Sequence, residues 1–450
     1  MSYLQSLASK KIAIVGAGVT GVAVLEFLNA RGFTADIFDE KSPTAKREID
    51  SNYDLAIISP GWRRNHPYIE RLSSLGAQLL SEIDFAWKIK EELAPSQKWI
   101  AVTGTNGKTT TVQMLQSIFD FSSKSGVACG NVGEPVISVL GSGVEFDFLA
   151  LELSSFQLEW SQYAEYEAIA LLNIAPDHID WHGSFNNYMA AKLKLFAAGK
   201  IAIINGQDSE CVLGASSWLG RKVFYYLDTP QAGELGLVEN LLVDRAFTQS
   251  AVEAIEFAEL SDIHPTVPHN VSNAMAAAGL ALSIGITHEE IREGLKNFTL
   301  DRHRLEIVLE SAGITWVNDS KATNPHAASA ALLSHLSSIW IAGGLAKGAT
   351  MEPLIERCAQ RIKAAILIGQ DAPIIATALG KLAPQIPYFI MPFDGDPKEL
   401  MRQIVIKAGE LATDGDTVLL APACASMDQF VDYADRGTKF VEAVREVVVY

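Results

Sequence analysis

The sequence predicts an α/β protein of three domains, each built on its own mainly parallel sheet. Short β-branched runs alternate with helical patterns along the whole chain, which implies parallel strands joined by crossover helices. Glycine turns follow strands in each third, at Gly16–Gly21, Gly104–Gly107 and Gly343–Gly348. The 450 residues amount to about three domains at roughly 150 residues each.

The first cycle runs KKIAIVGAG, a helix over Val19–Arg31, then TADIFDE, YDLAIIS and AQLLSE. A helical stretch at Ile83–Glu92 leads into Leu93–Gln97, a polar segment with a proline, of the kind that joins domains. KWIAVTG restarts the pattern, with a helix from Lys108, strands at FDFLALELS, EAIALLNI and KIAIING, and helices at His269–Ile284 and His288–Phe298. From Leu300 a third cycle follows: LEIVLE, ITWVND, SIWIAGG, AAILIG, PYFIM and TVLLAP. The boundaries expected are 1–93, 94–299 and 300–450.

Composition narrows the function classes. With 48% hydrophobic and 20% charged residues, the chain is neither disordered nor collagen-like nor a coiled-coil rod. A formal net charge of −17 repels polyanions, so neither nucleic acid nor an anionic membrane surface is an expected partner. A small anion held by a few local cations stays compatible with that charge. Cys129, Cys211, Cys358 and Cys424 are scattered without a CxxC pair, which suits a reducing compartment rather than a disulfide framework or zinc site. The opening MSYLQSLASKKIAIVGAG has no signal-peptide pattern, and no apolar run reaches the ~18 residues that span a bilayer. A cytoplasmic location without membrane insertion is expected.

The strongest chemical signal is Gly104-Thr105-Asn106-Gly107-Lys108-Thr109-Thr110, which follows a strand and opens a helix. Glycines let the backbone wrap a phosphate, the helix N-terminus presents N–H groups, and Lys108 reaches the outer phosphates. Thr109 or Thr110 offers a hydroxyl to Mg²⁺. Val102 stands where the strict phosphate-loop pattern has glycine, so this is a variant loop, read as ATP-binding. Gly16–Gly21 satisfies GxGxxG, with Asp39 ending the next strand. That turn suits a nicotinamide cofactor, a UDP-linked ligand, or a tight turn without a ligand. Glu152 ends a buried-looking strand and reads either as a Mg²⁺ ligand or as a solvated strand-end acid. His178 alone reads as structural or surface. From spacing, Lys192 and Lys194 on YMAAKLKLF read as a solvated helical face. In the last third, NDSKATN (318–324) and GGLAKG (343–348) place lysines in loops at strand ends, suited to a substrate carboxylate or phosphate.

Taken together, TGTNGKTTT, LELSSFQLE, NIAPDHIDWHG, AAKLKLF, HNVSNAMAA, HRLE, NDSKATN, GGLAKG and PACASMDQF resemble the Mur ligase family. The phosphate loop and HNxxN segment are shared with folylpolyglutamate synthetases, whereas NDSKATN is similar to the third-domain motif of the D-glutamate-adding members. The resemblance implies a Rossmann-like UDP-binding domain, a central phosphate-loop ATPase domain and a Rossmann-like C-terminal domain. It implies an ATP-dependent ligase that joins D-glutamate to UDP-N-acetylmuramoyl-L-alanine through an acyl phosphate, in peptidoglycan precursor synthesis, and a monomer. A folylpolyglutamate-type or other Mur-family amino-acid ligase is the alternative, and a nicotinamide oxidoreductase would use the first fingerprint alone.

Site residues follow from the same resemblance. Gly18, Val19, Thr20 and Gly21 approach the diphosphate, Asp39 and Lys41 the uracil end, with Ser59 and Gly61 as a further wall and Asn131 and His178 on the UDP-sugar. Lys108, Glu152, His178 and Lys192 form the catalytic set, and Asn273, Arg304 and Asp319 join Gly104–Thr110 around ATP, with His303 beside them. Lys321, Thr323, Lys347, Ser426 and Tyr433 form or flank the D-glutamate site. Two Mg²⁺ ions, with Mn²⁺ as a substitute, fall to Thr109, Glu152, His178 and Lys192, the last carbamylated by CO₂; this replaces the bland reading of Lys192. One departure stands out: Leu345 and Ala346 occupy positions where many relatives carry an acidic residue before the lysine.

Overall fold

The computed structural model describes residues 2–250 and 252–448. They form three sheets, and the fold is α/β with mainly parallel pairing. The first holds β1 (Ile12–Val15), β2 (Ala35–Phe38), β3 (Leu55–Ile58) and β4 (Gln78–Ser81) in the order β2-β1-β3-β4, all parallel. Every residue of β1 and β3 is buried, which explains why these strands are unbroken apolar runs instead of alternating ones. The strand order reverses between β1 and β3, so the loops after these two strands flank the crevice where open α/β sheets take ligands. Those loops are Gly16–Gly21 and Ser59–Gly61.

The second sheet holds β5 (Lys98–Thr103), β6 (Gly126–Gly130), β7 (Phe148–Glu152), β8 (Ala168–Leu171), β9 (Ile201–Asn205), β10 (Arg221–Tyr225), β11 (Leu235–Val238), β12 (Leu241–Asp244) and β13 (Ile255–Glu259). Its order is β13-β12-β11-β10-β9-β8-β5-β7-β6. Pairing is parallel from β6 to β11, and β11, β12 and β13 are antiparallel. β5 lies between β7 and β8, and Glu152 is in register with Val102 and Gly130. The carboxylate is thereby delivered to the same sheet edge as the phosphate loop.

The sequence does not announce β6 or β10–β13. β6 is GVACG, with a glycine at each end, and the β11–β12 turn is Glu239-Asn240 instead of the Asn-Gly type that signals a hairpin. The helix at Pro268–Ser283 is nearly all buried from Asn270 onward. Five alanines and Gly279 in this stretch let a buried helix lie close to its neighbours.

The third sheet holds β14 (Glu306–Ser311), β15 (Ile314–Asn318), β16 (Ser338–Gly343), β17 (Ile362–Ile368), β18 (Tyr388–Ile390) and β19 (Thr417–Leu420) in the order β14-β15-β19-β16-β17-β18. Only β14 is antiparallel to its neighbour. Separate apolar clusters, one including Trp340 and the other Trp316, pack around this sheet.

The described chain forms two compact units. The first comprises 1–174, 186–266 and 270–298, and the second 175–185, 267–269 and 299–450. Both the first and the second sheet belong to the first unit, and a polar seam links them. Asp84, on the helix Glu82–Leu93, accepts hydrogen bonds from the N–H groups of Gln162, Tyr163 and Ala164. Glu82 Oε1 accepts from Ile137 N at 2.8 Å, and Trp160 Nε1 donates to Trp62 O at 2.9 Å.

Candidate functional site

In the first unit the phosphate loop spans the gap between β5 and the helix Lys108–Asp120. Gly107 takes φ +85° at the helix N-cap, and a Cβ there would lie 2.3 Å from Asn273 Oδ1. The glycine is therefore fixed by backbone conformation and by the approach of Asn273. Asn173 braces the loop like a second backbone. Its Oδ1 accepts from Asn106 N at 2.8 Å, its Nδ2 donates to Asn106 O at 3.0 Å, and its own carbonyl accepts from Thr105 N at 2.9 Å. Thr105 Oγ1 lies 2.9 Å from the Tyr188 hydroxyl. The helix start and its dipole suit an anion at this point.

Both candidate lysines converge on this loop. Lys108 Nζ donates to Gly104 O and Thr105 O, each at 2.9 Å, and Lys192 Nζ donates to Gly104 O at 2.7 Å. Lys192 is 2% exposed and sits over the Tyr188 ring. The spacing-based expectation of a solvated face is thus wrong for Lys192. The helix Phe185–Ala198 buries that side against the loop, while Lys194, two residues on, reaches the surface and pairs with Glu159. Glu152 is buried; Oε1 accepts from Asn131 Nδ2 at 3.0 Å, and Oε2 has no hydrogen-bond partner. A buried carboxylate oxygen left unpaired is costly, so Glu152 fits a hard cation better than it fits an empty pocket. The reading of Glu152 as a solvated strand-end acid fails on its burial.

At the first sheet, Gly18 caps the helix Val19–Asn29, and Gly18 and Val19 are exposed while Thr20 is half-buried. A Cβ on Gly21 would lie 1.8 Å from the Gly16 carbonyl oxygen, so the third glycine serves helix–strand packing. Asp39 is committed to the backbone: Oδ2 accepts from Ala17 N, and Oδ1 from Lys41 N and Ser42 N. Burial raises its pKa, but these three N–H donors outweigh that and hold the carboxyl below its ordinary value. Ser59 approaches Gly16 O at 3.5 Å, so this loop lies against the glycine turn.

The second unit gathers the remaining candidates at the carboxyl ends of β15, β16 and β19. Thr323 and Lys347 line one cleft with Pro176, Asp177, Ile179 and Asn324. Lys321 Nζ lies 3.8 Å from the centre of the Tyr433 ring. Ser426 is buried in the loop after β19. That loop exchanges two backbone hydrogen bonds with the lysine loop, between Leu345 and Ala425, and Ala423 N donates to Ala322 O. Burial pushes the Asp319 carboxyl up to about 7, against the opposing pull of the Leu305 N–H and Arg304. His303, at φ +68°, is buried against Asn318, and burial lowers its pKa. His178 also belongs to this unit, following Asp177, whereas Lys108, Glu152 and Lys192 belong to the first. Among the described residues no group of three or more His, Cys, Asp or Glu is placed to hold a metal ion.

Asn173, Tyr188, Asp177 and Arg436 escaped the sequence reading. Arg436 is fully buried on the last helix, Tyr433–Val448, and donates to Ser320 Oγ, Ser320 O and Cys424 O at 2.9–3.1 Å. Burial pushes its pKa down to about 10. An arginine in an amphipathic helix reads as solvated, so nothing in the local pattern marks it. Asn173 and Asp177 did carry a signal: both lie just beyond β8, where ligands of open sheets bind.

Comparison with known proteins bears on the family and the fold. The Mur ligase middle domain matches residues 102–281, and the Mur ligase, glutamate ligase domain matches residues 303–424. The UDP-N-acetylmuramoylalanine--D-glutamate ligase of Thermobifida fusca is 41% identical, covering 98% of this chain and 99% of its own. The enzyme of the same name from Streptomyces coelicolor is 40% identical, with 98% and 99% covered. Among solved structures, a pseudomurein peptide ligase type C from Methanothermus fervidus superimposes with TM-score 0.62 at 17% identity, over 98% of this chain and 100% of that one. UDP-N-acetylmuramate-alanine ligase from Thermotoga maritima does so with TM-score 0.57 at 17% identity, over 97% and 99%. The structural likeness establishes the fold; the sequence likeness, over nearly the whole length, establishes that this chain belongs to the Mur ligase family.

Proposed function

We propose that the chain is an ATP-dependent ligase that forms the amide bond between the alanyl carboxylate of UDP-N-acetylmuramoyl-L-alanine and the amine of D-glutamate. The reaction belongs to peptidoglycan precursor synthesis, and we assign the protein to the cytoplasm as a monomer. No described helix is long and apolar enough to cross a membrane. The observation that carries the reading is the near-complete coverage of relatives that bear this ligase name. The phosphate loop with its two lysines and the lysine-bearing loops of the second unit support it.

In this reading residues 1–93 hold the UDP moiety, 94–299 hold ATP, and 300–450 hold the amino acid. The substrate carboxylate attacks the γ-phosphorus of ATP, ADP departs, and an acyl phosphate remains. The amine of D-glutamate then attacks the acyl carbon and phosphate leaves from the tetrahedral intermediate. Lys108 and the N–H groups of the helix start stabilise charge on the transferring group, so the chain contributes mainly positioning and electrostatics. Glu152, with its unpaired Oε2, and Thr109 would hold Mg²⁺, which when bound neutralises charge on the phosphoryl oxygens. Lys192 joins them as a carbamate formed with CO₂, and His178 retains the metal and UDP-sugar role implied by the family, with Mn²⁺ as a substitute ion. Gly18–Gly21, Ser59 and Asn131 serve the UDP-sugar. Asn273, Arg304 and Asp319 serve ATP. Lys321, Thr323, Lys347, Ser426 and Tyr433 serve D-glutamate.

The deciding experiment measures phosphate release with ATP, Mg²⁺ and UDP-N-acetylmuramoyl-L-alanine, with and without D-glutamate. Release that depends on D-glutamate is expected. Equal release without it, or release supported by a folate in place of the UDP-sugar, sinks the assignment.

A further inference from the structure

The loop that carries Lys347 has no polar side chain of its own apart from that lysine, since Leu345 and Ala346 precede it. Yet Lys347 is held at φ +51°, a left-handed conformation that a side chain of this size rarely adopts unless its surroundings impose it. Backbone pairing accounts for the first half of the loop: Gly343 N donates to Pro422 O, and Leu345 exchanges two bonds with Ala425. At the half that leads into Lys347, a carboxylate takes over. Asp371 Oδ2 accepts from Ala346 N at 2.8 Å, and Asp371 N donates to Gly344 O at 3.0 Å.

Asp371 stands at the N-cap of the helix Ala372–Leu382, yet its side chain makes no capping bond to that helix. Aspartate is among the preferred residues for that bond. Here the carboxylate turns away from its own helix and toward the lysine loop. The neighbouring contacts fix it there. A Cβ on Gly369 would lie 2.4 Å from Gly344 Cα, so the two loops touch, and Gln370 N donates to Asp428 Oδ2 at 2.8 Å. The loops after β16, β17 and β19, adjacent strands of one sheet, are thus interlocked at their carboxyl ends.

We infer that Asp371 is the positioning residue of Lys347: by holding the Ala346 N–H it fixes the backbone turn that presents the lysine ammonium to a carboxylate of D-glutamate. The inference rests on the function proposed above. It acts through Lys347, not through contact with the substrate, so its signature is selective.

Steady-state kinetics of the full chain test it, with Asp371→Ala, Asp371→Asn, Lys347→Ala and the Asp371→Ala/Lys347→Ala double variant. Asp371→Ala should raise the KM for D-glutamate by about tenfold, while kcat and the KM values for ATP and the UDP-sugar stay within about twofold. Asp371→Asn, whose amide oxygen still accepts the N–H, should recover most of the loss. In the Lys347→Ala background, Asp371→Ala should add little further, because both act on one contact. An unchanged KM for D-glutamate, an equal rise of all three KM values with a lowered melting point, or an Asn variant as impaired as Ala overturns it. If the wild-type chain shows no D-glutamate-dependent phosphate release, the functional reading has failed and this inference falls with it.

Discussion

Two ammonium groups meet at the carbonyl oxygen of Gly104, Lys108 at 2.9 Å and Lys192 at 2.7 Å. Such a pair favours whatever brings negative charge between or onto it, either a polyphosphate or conversion of Lys192 to a carbamate. Replacing Lys192 by alanine should cut D-glutamate-dependent phosphate release by ~100-fold or more, with an unchanged far-ultraviolet circular dichroism spectrum. Lys192→Arg should fail as badly, because a guanidinium stays cationic; a fully active arginine variant would refute the carbamate. At Arg436 the expectation is structural. Its guanidinium joins the NDSKATN loop to the loop after β19 through Ser320 and Cys424. Arg436→Met would leave those buried acceptors unpaired and should cost on the order of 3 kcal/mol, read as a lowered denaturation midpoint.

At the scale of elements, the helix Glu82–Leu93 begins with a carboxyl in an awkward place. Glu82 is 3% exposed, and its pKa is pushed up to about 7 by burial, against the pull of the Ile137 N–H. A carboxyl raised in this way binds its proton more tightly folded than unfolded. Stability is therefore greatest below the unfolded pKa of about 4.5 and falls as pH rises toward 7. Glu82→Gln keeps the acceptor and removes the charge, so its melting point should match wild type near pH 5 and exceed it at pH 8. No gain at pH 8 would contradict the sign. The elements that position the site were legible because strands buried on both faces write continuous apolar runs, and the phosphate loop is sequence-contiguous. β10–β13 were not, since this partly antiparallel end of the sheet is written in short runs of mixed burial. Lys192 was legible only through family likeness: helical spacing reports a face, not what covers it. Asp371 and Arg436 act through tertiary contacts between loops far apart in sequence, which no local pattern encodes.

For the whole molecule, the net charge of −17 still predicts that the protein passes through a heparin column at 0.15 M salt and binds an anion exchanger; retention on heparin would contradict this. The anionic ligands proposed for it must instead be met by a few cations at strand ends. The last consequence comes from the way the chain is divided. Residues 175–185 and 267–269 belong to the same compact unit as 299–450, although both lie within the sequence of the other unit. No single cut of the gene can therefore yield either unit intact. A fragment starting at residue 299 lacks the strip that carries Asp177 and His178. A fragment ending at 298 carries that strip without the body it packs into. Split-gene complementation at this junction should therefore require co-expression of both pieces, because each unit draws part of its body from the other's stretch of sequence.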